Sequence, residues 1–278
     1  MTGKNNPTGL DISMERVTPA IAEKWLAKNT HNRDINKRVV AGLARDMEDG
    51  NWLDNGATIT FAEDGTLLDG QHRLTAVVES GVSITVIVVR GASMGSQHTM
   101  DTGAKRTLAN ALKLRGEKSY THMAAAIVSN IAWDRGEKSF RPGANRKATN
   151  SEAMDYLDRN PWIRDQIVEV NRVTSRLRGV PTGVVSVLYR VFSEIDPFDA
   201  DAFFDKLSCD EDHHRGEPIY AARKVLMEDA ARTNGHRDNK WKAAILIKAW
   251  NKFRDGEEVV NLRYSAGGAS PEKFPEAH

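Results

Sequence analysis

The chain has 278 residues, of which 40% are apolar and 28% are charged, and its 39 basic and 38 acidic side chains leave a net charge of +1. This length favours two domains. No apolar run approaches the roughly 20 residues that cross a bilayer, the start of the chain lacks a signal-peptide core, and one cysteine excludes an internal disulfide and a cysteine-cluster metal site. A soluble, cytoplasmic protein without a membrane partner is expected.

The first half of the chain is predicted to begin with a polar lead and two helices. Residues 1–12 are rich in Asn, Gly, Pro and Thr and are expected to be disordered. Thr18 and Pro19 begin a helix that ends near Asn29. A second helix buries apolar residues at helical spacing and ends at Gly50.

Strand-like patterns begin at residue 57. Residues 57–61 alternate and are β-rich, Glu63-Asp64-Gly65 is a hairpin turn signal, and residues 66–68 return along the first strand. The apolar run 82–89 predicts a central strand. Helices interleaved with these strands predict an α+β domain with a small mixed sheet over residues 13–116.

A polar turn joins the hairpin to the next helix. Gly70 allows close backbone approach, and the planar guanidinium of Arg73 matches phosphate oxygens. A helix beginning at Gln71 directs its first N–H groups and its dipole toward an anion. Asp69 adds a base or a metal-linked acceptor, and His72 adds a hydrogen-bond donor. The alternative is an ordinary helix start, in which Asp69 caps the helix and Gly70 forms a turn.

The run Asp69-Gly70-Gln71-His72-Arg73-Leu74 resembles the signature box of the ParB/sulfiredoxin-like superfamily, which contacts phosphate, and the order of elements around it agrees over about residues 1–115. The resemblance implies a domain that binds a nucleoside triphosphate (CTP or ATP) with Mg²⁺. We call residues 69–73 the box. Its implied roles are catalytic for Asp69, His72 and Arg73 and nucleotide-binding for Gly70 and Gln71.

Four further residues have looser counterparts in that superfamily. Its members carry Glu-Asn-x-x-Arg after the last strand, where this chain has Asp101-Thr102 and Arg106, with both leading residues replaced and the spacing longer by one. The resemblance then implies Asp101 as a metal ligand and Thr102 and Arg106 as nucleotide contacts. It implies the same contact for Arg33, in the loop before the second helix. The alternatives are a capped helix and an ordinary exposed arginine.

Residues 117–264 are predicted to form a second, all-α domain, with a short strand over 259–264 and a flexible tail over 265–278. Residues 215–264 carry eleven basic and seven acidic side chains, or +4. Converging cations bind phosphate polymers, although solvated basic helix faces are common and no helix-turn-helix signature is present. The candidate DNA-binding residues are Arg141, Arg146, Lys147, Arg237, Lys240 and Lys242.

Three functions are consistent with these patterns. The first is a ParB-like nucleotide-binding protein acting on DNA, a nucleoside triphosphatase with weak nuclease activity, in which the box is coupled to DNA binding by basic helices. The second is a small-molecule phosphotransferase of the same superfamily; a reductase is disfavoured because the box has no cysteine. The third is a catalytically inactive DNA- or protein-binding module encoded by a phage or mobile element. A homodimer is a further candidate state.

Overall fold

The structure is a computed structural model that describes residues 9–30, 32, 34–100, 107–140, 147–209, 214–232, 237–267 and 270–278. It is a mixed α/β protein and mostly helical, with one four-stranded sheet and eleven α-helices in this described part. The chain divides into two compact units. The first comprises residues 1–106 and 144–152, and the second comprises residues 107–143 and 153–278. Each unit is thus built from two separate stretches of the chain, and the predicted domain boundary at residue 116 stays a prediction.

The sheet of the first unit has the strand order β1-β4-β2-β3. Strand β4 is antiparallel to β1 and parallel to β2, and β2 and β3 form an antiparallel hairpin. The predicted hairpin and the central position of the most apolar strand are confirmed. The first strand was not predicted, and its first two residues fall in the segment expected to be disordered. The strands are β1 Asp11–Val17, β2 Thr58–Ala62, β3 Leu67–Asp69 and β4 Ile84–Ala92.

Three helices pack on one face of this sheet: α1 Pro19–Leu26, α2 Lys37–Glu48 and α3 Gln71–Ser80. Thr18 caps α1 as its predicted start requires, and α3 ends at Gly81 in the left-handed conformation that favours glycine there. A 3-10 helix, Met94–Thr99, follows the last strand. The shared core contains Val17, Ala22, Val40, Met47, Ile59, Leu67, Leu74, Val77, Val86 and Val88.

The second unit is helical, as predicted. An aromatic cluster lies in its core, where Phe192 and Trp250 stack with ring centroids 4.2 Å apart and Phe203 meets Trp250 edge-on. The helices that begin or lie in this unit are α4 Leu108–Leu114, α5 Tyr120–Asp134, α6 Asn150–Arg159, α7 Trp162–Arg176, α8 Thr182–Ile195, α9 Pro197–Ser208, α10 Pro218–Ala230 and α11 Asn239–Arg254. None of the described helices is long and apolar enough to span a bilayer.

Two expectations for the end of the chain are not met. Residues 259–264 form no strand. The described part of the predicted flexible tail lies against α11, where Trp250 Nε1 donates to the carbonyl of His278 (3.0 Å) and Asn251 Nδ2 donates to that of Glu276 (2.8 Å). These bonds attach the tail to the helix.

Helix α6 begins in the first unit and continues in the second. Its start is a capping box, in which the Glu152 N–H donates to Thr149 Oγ1 (3.1 Å) and the Thr149 N–H donates to Glu152 Oε2 (2.6 Å). Both residues also contact α2. Arg45 Nε lies 2.8 Å from Glu152 Oε1, and Thr149 Oγ1 donates to Asp46 Oδ1 (2.5 Å). Residues 147–152 are thus part of the first unit.

Candidate functional site: the box cavity

The box lies at the corner between β3 and α3 and lines a cavity of about 460 Å³. Gly70 is the N-cap of α3 and has φ +106. A Cβ at this position would lie 2.9 Å from Ile59 Cγ1, which is closer than packed carbon atoms approach, so both the backbone conformation and the space require glycine. The predicted approach of a phosphate to the Gly70 backbone stays a prediction.

Arg73 is held at one end of its guanidinium. Its Nη2 donates to the Thr58 carbonyl (2.5 Å) and to Asp69 Oδ2 (2.7 Å). The Nε atom is buried and has no hydrogen-bond partner among the described residues. Because Asp69 pairs with Arg73 and the N-cap of α3 receives no side-chain hydrogen bond, the alternative in which Asp69 caps the helix is wrong.

The N-termini of two helices meet at this cavity. Asn36 caps α2 by accepting from the Arg38 N–H (3.1 Å), and the Asn36 N–H donates to His72 Nε2 (3.0 Å) in the first turn of α3. His72 was expected to donate, but here its Nε2 accepts, so in the neutral ring the proton lies on Nδ1. The partial positive charges at two adjacent helix N-termini favour the binding of an anion in this cavity.

Residues outside the box complete the cavity, and sequence reasoning missed them. Trp52 Nε1 is a second buried N–H donor without a partner in the described part of the chain. Asn32, Asp34, Asn36 and Asn55 also line the cavity. The concentration of asparagine between residues 29 and 36 was the available signal, because short polar amide side chains in loops suit ligand contacts.

Gln71, predicted to contact the nucleotide, lines the cavity and is held by amide side chains. Its side chain is 4% exposed, and its Oε1 accepts a hydrogen bond from Asn29 Nδ2 (2.9 Å). Asn32 Nδ2 in turn donates to Asn29 Oδ1 (2.6 Å) and to the Leu67 carbonyl (2.7 Å). This chain of amides fixes the loop before α2 against the box, so the Gln71 side chain supports the cavity wall.

Asp69 also lines a second cavity of about 540 Å³, together with Thr58, Thr60, Ser93 and Ser96. In the described residues there is no cluster of three or more His, Cys, Asp or Glu side chains that would hold a metal by itself. Mg²⁺ commonly uses one or two carboxylates together with water and substrate phosphates. The carboxylates of Asp34 and Asp69 at the box cavity fit that smaller requirement.

Several predicted site residues lie outside the described part of the chain. These are Arg33, Asp101, Thr102 and Arg106 of the nucleotide site and Arg141 and Arg146 of the DNA-binding set.

Lys242, predicted to bind DNA, is a structural residue. It is 7% exposed, and its Nζ donates to the Gly179 carbonyl (2.6 Å) and lies 3.8 Å from the buried carboxylate of Asp229. A buried ammonium with these partners cannot contact a phosphate backbone. The prediction for Lys242 is therefore wrong.

The other described members of the DNA-binding set are accessible at least in part. The Arg237 guanidinium lies over the Trp241 ring (5.7 Å), and Lys240 Nζ lies over the Phe274 ring (5.8 Å). Lys147 is exposed, and its carbonyl accepts from Arg45 Nη2 (3.0 Å). The DNA-binding prediction for these three side chains stays a prediction.

Comparisons with models of protein families, with curated proteins and with solved structures found no significant match to this chain. Function must therefore be inferred from the cavity itself.

Proposed function

We propose that the box cavity binds the phosphates of a nucleoside triphosphate, CTP or ATP, together with Mg²⁺. The observation that carries this proposal is that Arg73 and Trp52 line one cavity and that each has a buried N–H donor, Nε and Nε1, without a partner among the described residues. An unpaired buried donor costs about 1–3 kcal/mol. A ligand with an acceptor oxygen that reaches either N–H would remove this cost at that atom.

The charge distribution around the cavity supports an anionic ligand. The first turns of α2 and α3 place partial positive charge at its wall, and the Arg73 guanidinium adds a full charge. The volume of about 460 Å³ is typical of sites for small molecules. Asp34 and Asp69 would hold Mg²⁺, whose charge offsets their own.

The contacts of each box residue suggest its role. Asp69 and the Thr58 carbonyl orient Arg73, so Asp69 acts first as a positioning residue for the arginine. Gly70 lets the backbone approach the phosphate, and the N–H groups of the first α3 turn would donate to it. His72 fixes the loop before α2 through the Asn36 N–H. Hydrolysis of the nucleotide is the less supported half of the proposal, because Asp69 is engaged by Arg73.

The direct test is calorimetry of the full chain with ATP, CTP and ADP in the presence of Mg²⁺. Arg73→Ala should weaken binding more than tenfold, or about 1.4 kcal/mol. Trp52→Phe keeps an aromatic ring but removes its N–H, and it should weaken binding several-fold. Arg90→Ala is the matched control, because Arg90 also pairs with one carboxylate, that of Glu15, but lies away from the cavity. No heat from any nucleotide, or equal losses in the Arg73 and Arg90 variants, would overturn the proposal.

Contact with DNA is the second part of the proposal, supported by Arg237 and Lys240. Both cations lie near the start of α11 beside aromatic rings, and phosphate binding needs such converging charges. A gel shift with random duplex DNA should weaken as salt rises and weaken further in the Arg237→Ala/Lys240→Ala double variant. A phosphotransferase for small molecules would give no shift at low salt, which separates the two candidate functions.

A further inference from the structure

The two edges of the sheet differ in how well they are protected. The β3 edge is three residues long, and its pairing with β2 is irregular between Thr60 and Phe61. The β1 edge is seven residues long and pairs regularly with β4 from Asp11 to Val17. Proteins usually shorten, bulge or charge an edge strand to prevent it from pairing with another chain. The edge at β3 has two of these features, whereas β1 is long and regular and has one of them, the charges of Asp11, Glu15 and Arg16.

Two of the four exposed side chains of β1, Ile12 and Met14, are apolar, and the other two, Asp11 and Arg16, are charged. Ile12 and Met14 are each 61% exposed, and both point to the sheet face opposite the helices, where Met14 lies beside Ile87 of β4. Leu53, which is 70% exposed, lines the same shallow groove as Met14 and Ile87. Within the described chain β4 is the only strand that pairs with β1, so the outer N–H and C=O groups of β1 offer a second row of hydrogen bonds.

We propose that β1 pairs with β1 of a second copy of this chain, antiparallel and about a two-fold axis at Met14. This register opposes Met14 to its own symmetry mate, Ile12 to Arg16, Ser13 to Glu15, and Asp11 to Val17, so no two like charges face each other and all seven residues pair.

Other registers of the same strand are less favourable. Shifting the pairing by two residues in one direction opposes Asp11 to Glu15, and shifting it by two in the other direction opposes Glu15 to its own mate. Both shifts place like charges together. A shift by one residue would put the apolar row of one strand on the opposite sheet face from that of its partner. The charges of β1 therefore favour one register of β1 against β1. In a two-fold interface the same surface of both copies must be complementary to itself, and β1 meets this condition, so we infer that its partner is a second copy of the chain.

The proposed dimer joins two four-stranded sheets into one. The two Met14 side chains meet at the axis, and the aliphatic stem of Arg16 covers Ile12 from the other copy. The outer backbone groups of β1 gain partners. The proposed dimer interface does not include the box cavity, so the dimer and nucleotide binding are independent proposals.

The first test is the mass of the full chain in sedimentation velocity over a range of concentrations. We expect a species of twice the 30.8 kDa of one chain, and we expect Met14→Lys to shift it to the monomer at the same concentration. Leu53→Lys is the matched control, since Leu53 is also exposed and apolar on this face but is not part of the edge. A monomer at every concentration, or equal dissociation by Leu53→Lys, would overturn edge pairing.

The second test measures the register. In a Cys209→Ser background, which removes the exposed native thiol, Met14→Cys should form an intermolecular disulfide under mild oxidation. Opposed Cα atoms of antiparallel strands lie about 4.5–5.5 Å apart, within disulfide reach. Ile12→Cys is the control, because the two copies of residue 12 would be separated by about 14 Å along the strands. Faster cross-linking at residue 12 than at residue 14 would show that the register is wrong.

Discussion

At the box cavity, the buried Arg73 Nε–H and Trp52 Nε1–H have no partner in the part of the chain that the structure describes, whereas near the start of α11 the buried charges of Lys242 and Asp229 are bonded internally. Asp229 also accepts from the Arg237 N–H (2.9 Å). Both regions were predicted to bind phosphate from the same kinds of residue. The difference teaches that residue type alone does not mark a phosphate site, because a cation with complete internal partners stabilises the fold instead.

The largest expected effect tests the buried ion pair of Lys242 and Asp229. Lys242→Met keeps the aliphatic volume but leaves the carboxylate of Asp229 buried without its ammonium partner, and we expect a loss of about 3–5 kcal/mol in the free energy of unfolding. Urea titration followed by circular dichroism measures it. Lys240→Met, two residues earlier on the same helix, should change stability by less than about 0.5 kcal/mol. Similar losses in both variants would contradict the structural role of Lys242.

A smaller effect is expected at the corner of the box. Gly70→Ala forces a side chain into φ +106 and against Ile59, which should cost about 2–3 kcal/mol in the free energy of unfolding. Gly81→Ala at the other end of α3 is the control, because its φ is also positive (+70) but nothing lies within 4 Å, so only the backbone cost of about 1 kcal/mol applies. Equal losses would mean that the close approach at Gly70 is unimportant.

The smallest effect concerns Asp46, whose ionised carboxylate destabilises the folded state although it accepts a hydrogen bond. Burial raises the pKa of Asp46 to about 6, although Thr149 Oγ1 donates to its carboxylate. Since the folded state holds this proton more tightly than the unfolded chain, whose aspartates titrate near 4, the contribution of Asp46 to stability is greatest below about pH 4. It declines as the pH rises through about 6 and is constant above that.

Asp46→Asn should remove this decline and stabilise the protein at pH 7 by about 1–2 kcal/mol. Unfolding free energies measured at several pH values between 4 and 8 give the difference between the variant and the parent chain. Asp49→Asn removes a charge from an exposed position just after the same helix and serves as the control. A parallel pH dependence in the Asp46 variant and the parent would show that another group is responsible.

Local patterns predicted the elements whose apolar residues face the core. Helix α3 and strand β4 are examples. The glycine that ends α3 and the apolar run that forms β4 can both be recognised in the sequence without knowledge of long-range contacts. Strand β1 was missed because its alternation is reversed. Its apolar Ile12 and Met14 point to solvent, while Ser13 and Glu15 point inward, where Arg90 binds Glu15 and lowers its pKa.

Longer-range contacts account for the other differences. Helix α9 lies in a stretch rich in aspartate, and its buried side is formed by Phe203, Phe204 and Leu207. Lys242 is four residues before Leu246 and therefore continues the apolar stripe of α11 toward the core. That spacing was available in the sequence, and the charge of the lysine concealed it.

The box residues could be predicted as a group because they are contiguous in the chain. The helix after the box also follows from local signals, so the direction of its first N–H groups was predictable. Trp52 and Asn36 reach the same cavity from other elements. Only the folded chain brings them together, and no pattern within either segment connects them to the box.

The capping box at Thr149 and Glu152 also determines whether the first unit can be moved as a cassette. A fragment ending at residue 106 would omit both residues, and Arg45 and Asp46 on α2 would lose the partners they have in the intact chain. Transplanting the sheet and its helices into another protein would require carrying residues 147–152 along as a separate insert. Each unit is compact, but the segments of the two units alternate along the chain.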